Sequence, residues 1–100
     1  MSDLCLTLLC PPTLEEKLLD MLLINPAVSL FTSAPTAAHG ASAGQLSPSE
    51  QVLGRALATQ IQVLFASADK ETLLSGIQQQ FGGAGLRYWV APILEQGEFA

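Results

Sequence analysis

The feature that most constrains the fold is an order of residue patterns that occurs twice along the chain. In each half, a run with apolar residues at every second position precedes a run with apolar residues about four positions apart, and a second strand-like run follows. In the first half Phe31 interrupts the alternation of that second run. Alternation is typical of β-strands, and the wider spacing is typical of amphipathic helices. The sequence therefore predicts two βαβ units in the order βαββαβ.

Turn-forming residues separate the predicted elements. We predict strands at about 3–10 (β1), 28–34 (β2), 55–65 (β3) and 86–91 (β4), and helices at about 13–24 (α1) and 70–81 (α2). The pairs Pro-Pro, Asn-Pro and Gly-Gly follow β1, α1 and α2, and each of them ends a regular element. Thr13 and Asp69 are the expected N-caps of the two helices.

This order predicts an α+β fold of the ferredoxin-like, split βαβ kind. Such a fold has a four-stranded antiparallel sheet with β1 and β3 in the middle and two helices on one face. Pro92 agrees, because a proline cannot donate to a central ladder and β4 is expected at an edge. We read residues 1–100 as one domain with a mobile loop at about 36–53, where small residues dominate.

Two helices can cover only one face of this sheet, and the other face is also apolar. The covered face is expected to hold Leu4, Leu6, Leu8, Leu57, Ile61, Val63, Tyr88 and Val90. The uncovered face includes Leu9, Ala58, Leu64, Trp89 and Ile93. An apolar patch of this size marks an interface, so we expect a homo-oligomer. The alternative is that a loop or the C-terminal tail folds over this face.

Charge and cysteine usage limit the partners and the compartment. With a net charge of −5 and only four Lys and Arg residues, the chain does not provide the basic surface that a nucleic-acid backbone requires. The apolar stretches are too short to span a membrane and the start of the chain does not read as a signal peptide, so we expect a cytoplasmic protein without membrane insertion. Cys5 and Cys10 lie too far apart along β1 to form a disulfide, and their roles stay open.

Several short motifs resemble those of PII-like signalling proteins. They are Leu6-Thr7-Leu8 before Pro11-Pro12, Pro26-Ala27-Val28, Phe31-Thr32-Ser33, His39-Gly40, the run from Leu46 to Arg55, and the run from Gly83 to Val90 with Pro92-Ile93-Leu94. The chain resembles PII and CutA proteins, and most closely an uncharacterised PII-like family encoded beside bacterial heavy-metal efflux pumps. The resemblance implies a trimer with inward-facing sheets and a ligand-responsive loop between β2 and β3.

The resemblance also implies a nucleotide site. Gly82, Gly83 and Gly85 match the turn that holds phosphates in PII proteins, and Arg55 and Arg87 are the nearby cations. The lysines that normally surround those phosphates and the modifiable tyrosine of the loop are missing. A helix C-cap explains the same glycines more simply. Arg55 could instead pair with Glu50 across the base of the loop.

A divalent metal ion is the other candidate ligand. His39 is the sole histidine, and Glu50 could complete a shell around a metal bound by it, although a solvated loop histidine is the simpler explanation. The acidic balance of the chain favours cations, which ranks a metal ion slightly ahead of a nucleotide.

No catalytic motif is present, so we expect a protein that is not an enzyme. The favoured function is an oligomeric PII-like regulator linked to heavy-metal efflux, with an efflux-system protein as its partner. The alternatives are a CutA-like protein that binds divalent metals directly and a small phosphate-ester enzyme.

Overall fold

The computed structural model of the chain describes residues 2–40 and 56–100. Its regular elements are β1 (Leu4–Cys10), α1 (Glu15–Ile24), β2 (Val28–Ala38), β3 (Ala56–Phe65), α2 (Lys70–Phe81) and β4 (Arg87–Pro92). This is the predicted βαββαβ order, and the α+β fold class is confirmed. In the described ranges, no helix is long and apolar enough to cross a membrane.

The four strands form one antiparallel sheet in the order β2-β3-β1-β4. β1 and β3 occupy the middle, as the split βαβ arrangement requires. β4 lies at an edge, with Pro92 opposite Leu4 at the start of β1. The predicted topology and the predicted edge position of the proline are both confirmed.

Both helices pack on the same face of the sheet, which we call the covered face. In β1 and β3 the residues on this face alternate, and the register pairs Leu6 with Val63 and Leu8 with Ile61. Their side chains are buried against one stripe of each helix. The core consists of Leu6, Leu8, Cys10, Leu18, Leu22, Ile61, Val63, Phe65, Leu73, Ile77 and Phe81.

α2 begins at Lys70 as predicted, with Asp69 at its N-cap position but without a side-chain cap hydrogen bond, whereas α1 begins at Glu15, later than predicted. A turn of 3₁₀ helix, Pro12–Leu14, precedes α1, so Thr13 lies inside this turn rather than at an N-cap. A second such turn, Ser67–Asp69, precedes α2, and the carboxylate that binds its first amide comes from Asp3. The Ser67 amide donates to Asp3 Oδ1 at 2.8 Å. This hydrogen bond connects the residue before β1 to the turn that precedes α2.

β2 continues four residues beyond its predicted end at Ala34. A bulge between Val28 and Leu30 shifts the alternation and places Phe31 opposite Val63, on the covered face. The predicted loop is therefore wrong at its beginning, because residues 36–38 are strand, paired with residues 56–58 of β3. Positions 41–53 of that predicted loop lie outside the described residues, as does the segment that contains Glu50 and Arg55.

Two residues predicted under the helices are exposed. Leu57 pairs with Ala37, beyond the last β1 pair at Cys10, and it is 55% exposed. Tyr88 points to the covered face but lies on the edge strand, and it is 56% exposed. In both cases the strand position leaves the side chain at the margin of the core.

Candidate ligand site at the base of the β2–β3 loop

The face opposite the helices, which we call the open face, is apolar in part. Trp89 lies opposite Thr7 on β1, and Thr7 lies opposite Gln62 on β3. Thr7 is 5% exposed in the middle of this row, whereas Trp89 at the edge is 48% exposed. Leu64 is half-buried. The structure thus leaves a large aromatic side chain on a surface that the helices do not cover.

The C-terminal tail does not cover the open face. Ile93 lies just past the end of β4, half-buried, and its amide donates to the Asp3 carbonyl at 2.9 Å. The Gln96 side-chain amide donates to the Ser2 carbonyl at 3.4 Å. Residues 94–100 are all exposed. The tail therefore runs past the end of the sheet, alongside the N-terminal residues.

A cleft of about 640 Å³ opens at the other end of the sheet, where the chain enters and leaves the β2–β3 loop. Four segments meet there because β1 ends, β2 ends, β3 begins and β4 begins at this end of the sheet. We call it the loop-base cleft. It is lined by Leu9, Pro11, Pro12, Thr13, Ala38, His39, Gly40, Ala56, Leu57, Ala58, Ala84, Gly85, Leu86 and Arg87.

The polar character of the loop-base cleft comes from basic side chains. His39 follows the last residue of β2, and Arg87 opens β4 opposite Leu9. Both side chains are exposed, and both line the cleft. None of the described residues that line it is acidic. Because arginine is a cationic residue, the described part of the cleft presents positive charge to a ligand.

The glycine turn divides between two concave surfaces. Gly85 lines the loop-base cleft, whereas Gly82 and Gly83 line a groove of about 310 Å³ between α2 and β4. We call this second surface the α2–β4 groove. Of the predicted ligand set, Gly85 and Arg87 line one cleft, Gly82 and Gly83 line another surface, and Arg55 lies outside the described residues.

Helix termination explains the glycine turn directly. The Gly82 amide donates to the Gln78 carbonyl at 2.9 Å, and the Ala84 amide donates to the Phe81 carbonyl at 3.0 Å. Gly83 has a φ of 81°, the left-handed conformation that ends many helices. A Cβ at Gly82 would lie 2.6 Å from the Gln78 carbonyl oxygen, so only glycine fits there. Two amides that a phosphate cradle would need are thus engaged within the helix end.

The described residues do not assemble a metal site around His39. No group of three or more His, Cys, Asp or Glu side chains that could hold a metal ion occurs in residues 2–40 and 56–100. Glu50, the predicted companion of His39, lies outside these ranges. Metal binding at His39 stays a prediction.

The two cysteines are free and lie on opposite faces of β1. Cys5 pairs with Leu64 and Ala91 and is half-buried on the open face. Cys10 is buried on the covered face, where its thiol approaches the Pro11 carbonyl at 3.2 Å. Burial, with a smaller contribution from Glu15, raises the pKa of Cys10 to about 11. Cys10 is therefore a packed thiol rather than a nucleophile.

Sequence reasoning missed the wall of the cleft formed by Pro11, Pro12 and Thr13. The local pattern indicates only that a strand ends there and a helix begins. The signal that could have located this wall is topological, because β1 and β4 are antiparallel neighbours. The turn after β1 must then lie beside the turn before β4, and Pro11 Cγ lies 3.7 Å from the position of a Cβ on Gly85.

Comparisons with solved structures show the fold. The crystal structure of a DUF3240 family protein from Shewanella baltica matches with a TM-score of 0.82 and 16% identity, covering 100% of this chain and 99% of that one. A candidate PII-like signalling protein from Thermus thermophilus matches with a TM-score of 0.64 and 13% identity, covering 93% and 88%. A Bacillus cereus protein related to NIF3 matches with a TM-score of 0.66 and 14% identity, covering 97% and 27%.

Sequence comparison adds the family. A search of curated proteins gave no match. The family model described as "Protein of unknown function (DUF3240)" matches residues 1–100. The match spans the whole chain, including the strands and turns that form the loop-base cleft. This chain therefore belongs to the DUF3240 family.

Proposed function

We propose that this chain is a homo-oligomeric regulatory protein of the PII-like kind. In this proposal a small ligand in the loop-base cleft changes the order of the loop between β2 and β3, and the loop then changes its contact with a partner protein. The observation that carries the proposal is the position of the cleft. Residues 38–40 and 56–58, which flank the loop on both sides, line it together. A ligand that contacts both flanks can favour one conformation of the loop over others.

The cleft favours an anionic ligand over a metal ion. His39 and Arg87 are its charged or ionisable described lining residues, and the remaining lining is largely apolar. Arginine binds carboxylates and phosphates with two parallel hydrogen bonds. A volume of about 640 Å³ lies in the usual range for small-molecule sites. A small organic anion, nucleotides included, fits this combination of one cationic side chain and an apolar wall.

Assembly through the open face is part of the same proposal. Trp89 and Leu64 are large side chains on the face that the helices leave uncovered. We propose a trimer in which Leu9, Ala58, Leu64, Trp89 and Ile93 contribute to the contact. Burying such a surface between copies removes it from water without another protein.

The partner is proposed on the resemblance to PII-like proteins encoded beside heavy-metal efflux pumps, which favours an efflux-system protein. Direct metal binding of the CutA kind is the second candidate, and His39 is the residue that favours it. A phosphate-ester enzyme is least supported, because the turn between β1 and α1 that lines the cleft carries no cation.

Calorimetric titration of the purified protein tests the ligand class. We expect binding of at least one nucleotide or small dicarboxylate, and a loss of at least about tenfold in affinity in Arg87→Met, because the charged hydrogen bonds to the anion are removed. Lys70→Met is the matched control, since it removes one positive charge at the opposite end of the sheet. Equal affinities in the two variants would contradict the site.

A metal titration separates the second candidate. If Zn²⁺ or Cu²⁺ binds to wild type and binding is lost in His39→Ala, while Arg87→Met binds as wild type does, the CutA-like function replaces the proposed one. Metal coordination through imidazole would also weaken at acid pH, because only the neutral ring binds metal.

Light scattering tests the assembly. On a size-exclusion column with light-scattering detection, wild type is expected to have the mass of a trimer. Trp89→Glu is expected to dissociate the trimer, because burying a carboxylate at the open-face contact is costly when no positive charge pairs with it. Leu23→Glu, at an apolar site on α1 that is 74% exposed, is the control that leaves the trimer intact. A wild-type monomer at micromolar concentration would refute this part.

A further inference from the structure

The two ends of the loop-base cleft lie on strands that are far apart in the sheet. Arg87 on β4 lies opposite Leu9 of β1, which lies opposite Gln60 of β3. Ala38 at the end of β2 lies opposite Ala56 of β3. β4 and β2 are the two edge strands, three strand spacings or about 14 Å apart, and the four residues from Gln60 to Ala56 add about 13 Å along the strands. The backbones at Arg87 and Ala38 are therefore roughly 20 Å apart.

This separation limits the shape of a ligand that acts on the loop. The anionic group of the ligand binds at Arg87, whereas a ligand that changes the loop must also contact the β2 flank at Ala38. An arginine side chain that extends roughly 7 Å towards this flank still leaves a gap of more than about 10 Å. A compact anion does not cross that gap. The ligand must be elongated, with its anionic group at one end.

The surface between the two ends of the cleft is apolar. Its half-buried lining residues without a polar side-chain atom are Leu9, Pro11, Ala38, Ala56, Ala58 and Leu86. Thr13 carries the one hydroxyl group among the described lining residues, and its side chain is exposed. A ribose or a nucleobase has polar groups that need hydrogen-bond partners when they are buried. An alkyl chain needs no such partners, and its burial against these residues is favourable.

The charge of the cleft matches one anionic group better than several. Arg87 is the one arginine or lysine among the described lining residues, and the whole chain carries a net charge of −5. The amides of Gly82 and Ala84, which a phosphate cradle would need, are already bonded within the helix end. A single carboxylate forms two parallel hydrogen bonds with a guanidinium and leaves no excess negative charge. A polyphosphate leaves most of its charge without a partner among these residues.

We propose, building on the proposed function, that the ligand of the loop-base cleft is an unbranched alkyl carboxylate. Its carboxylate binds Arg87, its chain lies across Leu9 and Ala58, and the end of the chain reaches the β2 flank at Ala38. With carbon–carbon bonds of about 1.5 Å, a chain of roughly eight to twelve carbons covers the gap. The ligand class is thus a medium-chain fatty acid, and the loop responds to the end of the alkyl chain.

A chain-length series tests the length of the cleft. The full chain is titrated by calorimetry with straight-chain carboxylates from acetate to dodecanoate, each below its micelle-forming concentration, and with ATP. We expect the affinity to rise about twofold to fourfold with each added methylene, which is removed from water, and to level off at roughly ten carbons. Decanoate should bind at least about tenfold more tightly than ATP. Arg87→Met should weaken the binding of every carboxylate by a similar factor, whereas Lys70→Met should not.

Filling the far end of the cleft gives the second test. Ala56→Leu should make the affinity level off at chains shorter by roughly two or three carbons, because its larger side chain occupies the space that the end of the ligand needs. Binding of butanoate should stay unchanged. Ala91→Leu, on the same face at the other end of the sheet, is the matched control, and circular dichroism checks that both variants fold. An affinity that does not rise with chain length, or the same levelling-off point in both variants, would overturn the inference.

The ATP titration distinguishes a failure of this ligand class from a failure of the proposed function. If ATP binds through Arg87 more tightly than every carboxylate of the series, the alkyl carboxylate is the wrong ligand class and the proposed function stands. If neither ATP nor any carboxylate binds in a way that depends on Arg87, both are overturned.

Discussion

β1 presents Leu8 to the helices and Leu9 to the opposite face of the sheet, and these adjacent leucines have different surroundings. Leu8 is 1% exposed within the core, whereas Leu9 is half-buried and lines the loop-base cleft. The same contrast extends over both middle strands. The covered face supplies the stability of the single copy, and the open face leaves apolar side chains in contact with water.

The largest expected effect is a loss of stability from a substitution on the covered face. Leu8→Ala should lower the free energy of unfolding by about 2–5 kcal/mol, because it removes buried methyl groups and leaves a cavity. Leu9→Ala is the matched variant and should cost about 1 kcal/mol in the single copy, since its side chain is only half-buried. Urea unfolding at low protein concentration measures both. Equal losses in the free energy of unfolding would show that Leu8 and Leu9 are equally buried in the single copy.

The cysteines give a chemical version of the same comparison. At pH 8, iodoacetamide should alkylate Cys5 at least about a hundredfold faster than Cys10, because the Cys10 thiol is buried and its pKa is raised to about 11. Mass spectrometry of the peptides over time gives both rates. Similar rates would mean that the covered face opens readily. Slower labelling of Cys5 at higher protein concentration would indicate that assembly covers the open face.

Alkaline titration sharpens the role of Cys10. Its folded-state pKa is raised above the unfolded value of 9.0, so its contribution to stability is present below pH 9 and is lost as the pH rises towards 11. Wild type should therefore lose stability over this range more steeply than Cys10→Ala does. Thermal unfolding at pH 8, 9 and 10 measures the difference. Parallel curves for the two proteins would contradict the burial of this thiol.

The smallest expected effect concerns a contact that belongs to neither face. The Ser67 amide lowers the pKa of Asp3 below its usual 3.8, so the contact stabilises the fold above pH 4 and its contribution is lost as the pH falls further. Because Asp3 is exposed, Asp3→Asn should cause only a slight loss of stability at neutral pH. Its acid unfolding should be less steep than that of wild type. If both proteins lost stability identically as the pH falls, the contact between Asp3 and Ser67 would not contribute to stability.

Local patterns located the elements well but not their ends. The strands and helices follow from the spacing of apolar residues, and the proline at the end of β4 identified an edge strand. The end of β2 was missed because Pro35, Ala37 and Ala38 carry little strand propensity, and their pairing with β3 holds them in the sheet. The cap at Thr13 was wrong because a 3₁₀ turn precedes α1. The contact at the turn before α2 was missed because Asp3 comes from a different part of the chain than the Ser67 amide that it binds.

The candidate site was predictable only residue by residue. Arg87, Gly85 and His39 were singled out from the sequence, and the structure places all three at one cleft. Gly82 and Gly83 were assigned to the same site but line the α2–β4 groove instead, because successive residues of a tight turn point in different directions. Residue identity indicated the chemistry, and the turn geometry determined which residues share a surface.

The sequence by itself determined the order of elements, the fold class, the edge position of β4 and the presence of a second apolar face. These properties follow from periodicity and from proline and glycine, which act over a few residues. The tertiary structure decided where Leu57 and Tyr88 lie, what closes the turn before α2, and that the turns after β1 and before β4 form one cleft with both flanks of the loop. Such contacts join residues far apart in the chain, so they depend on strand register and on the direction of each turn rather than on any local pattern.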